Sequence, residues 1–224
     1  MLIKGGADCN QCVKNIRIPL YTETSLNGNS AVCNKTNGYG KNPLYEASKA
    51  GHGNIVALLI KSGADCNRSD EDEKTPLYAA SMAGHCDIVK FLLRYGANCN
   101  ISDSYDNTPL HAASKAGHVD IVDFLLKVNT NFNERDSYNR TPIYKASKAG
   151  HGDTVELLIN CGADCHKGDL YNRTPLYAAA KAGHSDIVHL LIESDADYNE
   201  SDSNNRTPIY AAAKAGNSLS LIHI

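Results

Sequence analysis

Residues 75–100 read TPLYAASMAGHCDIVKFLLRYGANCN, and the rest of the chain repeats that phrase on either side. It returns as TPLHAASKAGHVDIVDFLLKVNTNFN from Thr108, TPIYKASKAGHGDTVELLINCGADCH from Thr141 and TPLYAAAKAGHSDIVHLLIESDADYN from Thr174. A copy with Asn for Thr begins at Asn42, and a copy that stops early begins at Thr207. Pro43, Pro76, Pro109, Pro142, Pro175 and Pro208 therefore recur every 33 residues. Self-similarity at a fixed period of this size signals stacked supersecondary units, none of which can bury its apolar face alone.

Each copy carries the start and stop chemistry of two helices. Thr75, Thr108, Thr141, Thr174 and Thr207 are suited to cap a short first helix, with proline at its first position, where a missing N–H costs nothing. Gly51, Gly84, Gly117, Gly150 and Gly183 suit a left-handed helix end. A second helix is expected near Asn54, Asp87, Asp120, Asp153 and Asp186, with residues such as Ile88, Val89, Leu92 and Leu93 on one face. Before each capping residue lies a polar turn, whose fourth position is held by Gly40, Asp106, Asn139, Asn172 and Asn205, all tolerant of positive φ, and in one copy by Glu73, which is not.

The pattern D-x-x-x-x-T-P-L-H/Y-x-A…A-G-H-x-D-I-V…L-L…G-A-D-x-N resembles the ankyrin repeat, and the resemblance runs without insertions over residues 37–224. It implies an all-α solenoid of helix-turn-helix units with hairpin-like tips along one edge. The partition is five full units at 37–69, 70–102, 103–135, 136–168 and 169–201, a partial unit at 202–224, and a degenerate segment at 1–36. In that segment Pro19-Leu20-Tyr21 begins a copy that is nine residues too short to hold both helices. A chain starting at Asn37 is accordingly expected to melt like the whole. The last copy departs from the pattern after Gly216, where NSLSLIHI replaces the second helix.

Net charge is −3, charged residues make up 21% and hydrophobic residues 42%, which fits a water-soluble protein and neither a nucleic-acid coat nor an acidic tail. No apolar run approaches the length needed to span a membrane. Position 1 opens no secretory signal, and four of the eight cysteines follow the repeat register: Cys33, Cys66, Cys99 and Cys165 share a column with Phe132 and Tyr198. That column asks for apolar filler, so buried reduced thiols and an intracellular, cytoplasmic setting are expected.

Candidates for chemistry reduce to repeat architecture. His52, His85, His118, His151 and His184 come one per unit, a spacing that cannot gather ligands about 2.0–2.3 Å from one zinc ion. Cys9-Asn10-Gln11-Cys12 is an isolated C-x-x-C. With no nucleophile elbow, P-loop or dinucleotide fingerprint, neither catalysis, nor a cofactor, nor a metal is expected. The resemblance implies Asn67 and Asn100 as acceptors for asparaginyl hydroxylation.

It also implies binding of a partner protein by the tips and the inner helices, which together make a concave face. Tyr105, Tyr138 and Tyr171 at the tips, Arg140, Arg173 and Arg206 before the caps, and Lys115, Lys148 and Lys181 on the first helices would form its stripe. An acidic or phosphorylated protein segment suits these residues, whereas Asp103, Asp136 and Asp169 would interrupt the positive field and disfavour nucleic acid. Reversing Arg140 and Arg173 to Glu is expected to weaken binding without changing the melting curve. Two other readings remain open: a recruiting part of a larger enzyme or ubiquitin-ligase assembly, and a membrane-cytoskeleton tether.

Overall fold

The computed structural model describes residues 33–128 and 130–217. Among these are eleven helices and no strand. They come as pairs: α1 (Pro43–Ala50) and α2 (Gly53–Lys61), α3 (Pro76–Ala83) and α4 (Cys86–Arg94), α5 (Pro109–Ala116) and α6 (Val119–Lys127), α7 (Pro142–Ala149) and α8 (Gly152–Asn160), α9 (Pro175–Ala182) and α10 (Ser185–Glu193), then α11 (Pro208–Ala215). The degenerate segment before residue 33, with its C-x-x-C, and the departing tail after residue 217 lie outside the described residues.

The caps fall where the chemistry puts them. Thr75, Thr108, Thr141, Thr174 and Thr207 each accept a hydrogen bond from the third amide of the helix that follows, and Asn42 does the same for α1. Each first helix ends on glycine at φ between 76° and 87°. The glycine is needed for a second reason at Gly84, where a Cβ would stand 2.6 Å from the His118 ring of the next unit. Glu73 enters the left-handed region after all, at φ 62°, in line with Asp106, Asn139, Asn172 and Asn205. Stacking imposes the turn there, and a residue that merely dislikes the conformation is overruled.

Packing follows columns running along the stack. Leu44, Leu77, Leu110, Ile143 and Leu176 from the first helices, and Val56, Val89, Val122, Val155 and Val188 from the second, are all buried, as are Leu59, Leu92, Leu125, Leu158 and Leu191. Each such aliphatic contributes roughly 1.5–3 kcal/mol. Small residues at Ala47, Ala80, Ala113, Ala146, Ala179 and Ala212 let successive first helices come close. First helices of neighbouring units pack far more tightly on one another than second helices do, so they form the shorter, inner arc of the solenoid.

The histidine column ties unit to unit. Nε2 of His85, His118 and His151 lies 3.1–3.3 Å from the carbonyl oxygens of Lys49, Met82 and Lys115 in the preceding unit. A carbonyl can only accept, so Nε2 carries the proton. Asn217, one period after His184, reproduces the bond with Nδ2 to the oxygens of Ala180 and Lys181. The pattern therefore persists one residue further than the sequence suggests. At the other end Cys33 is buried, and Asn34 accepts from the Asp65 amide while reaching Gly63 O. Removing residues before Asn37 would strip both, so a lowered melting midpoint is the outcome these contacts favour for a chain starting there.

Candidate protein-binding face

The tips are built on buried aspartates. One oxygen of Asp103 accepts the amides of Tyr105 and Asn107, and Asp136, Asp169 and Asp202 each take the amides two and four residues on in the same way. Their other oxygens hold guanidinium groups: Arg140 Nε on Asp136 at 2.9 Å, Arg173 Nε on Asp169 at 2.8 Å and Arg206 Nε on Asp202 at 2.8 Å. Burial opposes these charges, yet the arginine and amide donors outweigh it and hold all three carboxyls below the ordinary range, Asp202 at about 2. Asp103, Asp136 and Asp169 are interior loop fasteners, shielded from solvent, and the three arginines are engaged within their own loops.

Tyrosines of the inner helices fasten each unit to the next tip. Tyr144 Oη donates to Asp169 at 3.1 Å, and Tyr45, Tyr78 and Tyr177 face Asp70, Asp103 and Asp202 in the same relation. Burial, then the nearby carboxylates, push these phenols up. His111 breaks the column. Its Nδ1 accepts from the Thr108 amide at 3.2 Å and Nε2 donates to Arg140 O at 3.1 Å, so it does not reach Asp136. Lys145 takes over that contact from the next helix, its ammonium 2.9 Å from Asp136 Oδ2 and bonded to Asn107. Burial followed by the Lys145 charge lowers the His111 pKa to about 4.

Tyr105, Tyr138, Lys115, Arg140 and Lys148 line one hollow, and Lys148, Arg173 and Lys181 line a second beside it. Tyr105, Tyr138 and Tyr171 are 52%, 46% and 56% exposed at consecutive tips. Tyr105 and Tyr138 stack at 6.5 Å, the Arg140 guanidinium lies 4.5 Å from the Tyr138 ring centre, and Arg173 lies 4.9 Å from that of Tyr171. Such cation–π contacts fix rings and cations as one surface. Lys115, Lys148 and Lys181 are exposed on α5, α7 and α9. Lys145 was missed. Its signal is the coincidence of two departures, a lysine in the column of Ala79, Ala112, Ala178 and Ala211 just after the histidine that interrupts the tyrosines.

Among the described residues no three His, Cys, Asp or Glu side chains gather as metal ligands, and no helix is long and apolar enough to cross a membrane. Cys33, Cys66, Cys86, Cys99, Cys161 and Cys165 are free thiols, with Cys33, Cys66 and Cys165 buried and Cys99 half-buried. Tyr198, in the same column, is exposed, so the column is less uniformly apolar than its spacing implies. The Asn67 side chain accepts from Asn98 N at 2.7 Å and donates to Gly96 O at 3.1 Å, bridging two units.

No curated protein matches the chain in a sequence comparison. The family description for ankyrin repeats matches three times, over residues 2–103, 96–169 and 154–223. Capped helix pairs, glycine ends, tip loops and interunit histidines recur every 33 residues within those matches, and the chain belongs to the ankyrin-repeat family.

Proposed function

We propose that this protein is a non-catalytic scaffold whose concave face binds an extended or helical segment of an acidic partner protein. Ankyrin repeats are in general protein-interaction modules. The observation that carries the finer reading is the run of exposed Tyr105, Tyr138 and Tyr171 beside exposed Lys115, Lys148 and Lys181 in three consecutive units. Most other repeated side chains are consumed by packing or by loop hydrogen bonds, whereas these face outward. Tyrosine supplies rigid contact area at low entropic cost, and successive inner helices about 8–10 Å apart repeat that area along a bound segment. Arg140 and Arg173 lie against the rings of Tyr138 and Tyr171, and with Arg206 they add partly neutralised charge at the rim.

The test begins with a crosslinking pull-down using the protein as bait, followed by affinity measurement for the partner recovered. Tyr105→Ser with Tyr138→Ser is expected to weaken that complex by about tenfold or more while the melting curve stays put, and added salt to weaken the wild-type complex. A partner indifferent to both changes binds elsewhere on the solenoid.

A further inference from the structure

The inner surface is dented where the tyrosine column is broken. A hollow of about 530 Å³ lies between the units 70–102, 103–135 and 136–168, walled by Tyr78, Tyr105, Tyr138 and Tyr144. That volume falls in the range of specific ligand sites, about 300–1,000 Å³. Lys115, Arg140, Lys145 and Lys148 line it, and no carboxylate does. A second hollow of about 250 Å³ lies one unit further on, shares Tyr144 and Lys148, and adds Arg173 and Lys181.

The charges do not balance locally. Asp136, behind the wall, is bonded by both Arg140 and Lys145. Among the described residues Lys115 and Lys148 have no ion-pair partner, so the four cations outnumber the two carboxylates behind the wall, Asp136 held by Arg140 and Lys145 and Asp103 held by Asn107. Burial, then Arg140, Arg173 and Lys181, depress the Lys148 pKa against the opposing charge of Asp169, and a bound anion would relieve the part owed to the neighbouring cations. One carboxylate side chain would answer a single charge. A phosphate monoester carries about −1.5 to −2 at neutral pH and three acceptor oxygens, and two convergent ammonium groups suit it.

We propose that this hollow receives a phosphorylated side chain of the partner protein, with Lys115 and Lys148 on the phosphate and Tyr105 and Tyr138 against the flanking chain. It rests on the protein-binding reading above and selects the phosphorylated over the merely acidic segment.

The probe is N-acetyl-O-phosphoserine methylamide, titrated into the whole protein at low salt and followed by amide and lysine side-chain chemical shifts. Saturable shifts around Tyr105, Tyr138, Lys145 and Lys148 are expected, with affinity about tenfold above that of the glutamate analogue and of inorganic phosphate. Lys115→Gln with Lys148→Gln should abolish them at an unchanged melting midpoint, whereas Lys49→Gln, two units away in the same column, should leave them intact. Absent shifts, equal response to glutamate or to inorganic phosphate, or shifts surviving the double substitution would each overturn the proposal. A partner bound through the tip tyrosines whose affinity ignores phosphatase treatment would overturn it too, and would leave the protein-binding reading standing.

Discussion

Among the described residues, Ser48, Ser81, Ser114, Ser147 and Thr154 carry buried hydroxyls with no hydrogen-bond partner. Burying an unsatisfied hydroxyl costs about 1–3 kcal/mol. Thr154 sits in the column of Ile88, Ile121 and Ile187, and Ala180 continues the serine column without a hydroxyl. Thr154→Val, which keeps the shape, is therefore expected to raise stability by about 1 kcal/mol in urea unfolding, and a loss would mean that the hydroxyl finds water. His111 sets a pH dependence of the opposite kind. Its folded pKa of about 4 lies below the ordinary 6.5, so between those values the unfolded chain binds a proton that the folded chain refuses. The contribution is complete above pH 6.5 and is lost as pH falls toward 4, about 3 kcal/mol in all. Urea midpoints at pH 7, 5.5 and 4.5 should fall more steeply for the wild type than for His111→Gln, and equal slopes would remove His111 from the account.

At the scale of the element, the tip loop is a closed electrostatic unit. Arg140→Glu would face the buried Asp136 with a second carboxylate and leave Lys145 as its remaining cation, so a loss of about 3–5 kcal/mol is expected in thermal or urea unfolding. The unchanged melting curve anticipated from sequence does not survive this geometry, which is why the exposed lysines and tyrosines are the better probes of binding. Helix starts, helix ends and core columns were legible because capping and periodicity are local and repeat in register: Thr108, Gly117 and Leu125 can be placed by counting. The aspartates were misread because a carboxylate in a polar turn looks solvent-facing until the amides of Tyr105 and Asn107 are seen converging on it. Lys145 depends on side chains of three units at once, and no one-dimensional pattern displays that meeting.

Over the whole molecule, stability is a sum of units and the junctions between them. Leu125 is fully buried in the unit 103–135, so Leu125→Ala is expected to cost roughly 2–5 kcal/mol and to weaken both neighbouring junctions. Where that damage travels can be read from the tips. Successive loops are joined by single backbone bonds from Ser104 N to Asp72 O, Ser137 N to Tyr105 O, Leu170 N to Tyr138 O and Ser203 N to Tyr171 O, all 2.9–3.0 Å. Each of these amides lies in a loop at the edge, yet its proton is released to solvent only when its own junction parts. Hydrogen exchange at the four positions thus works as a set of independent gauges, one per seam. In the Leu125→Ala protein the Ser104 and Ser137 gauges should quicken first, while Ser203, two seams away, keeps time with the wild type until the array comes apart as a whole.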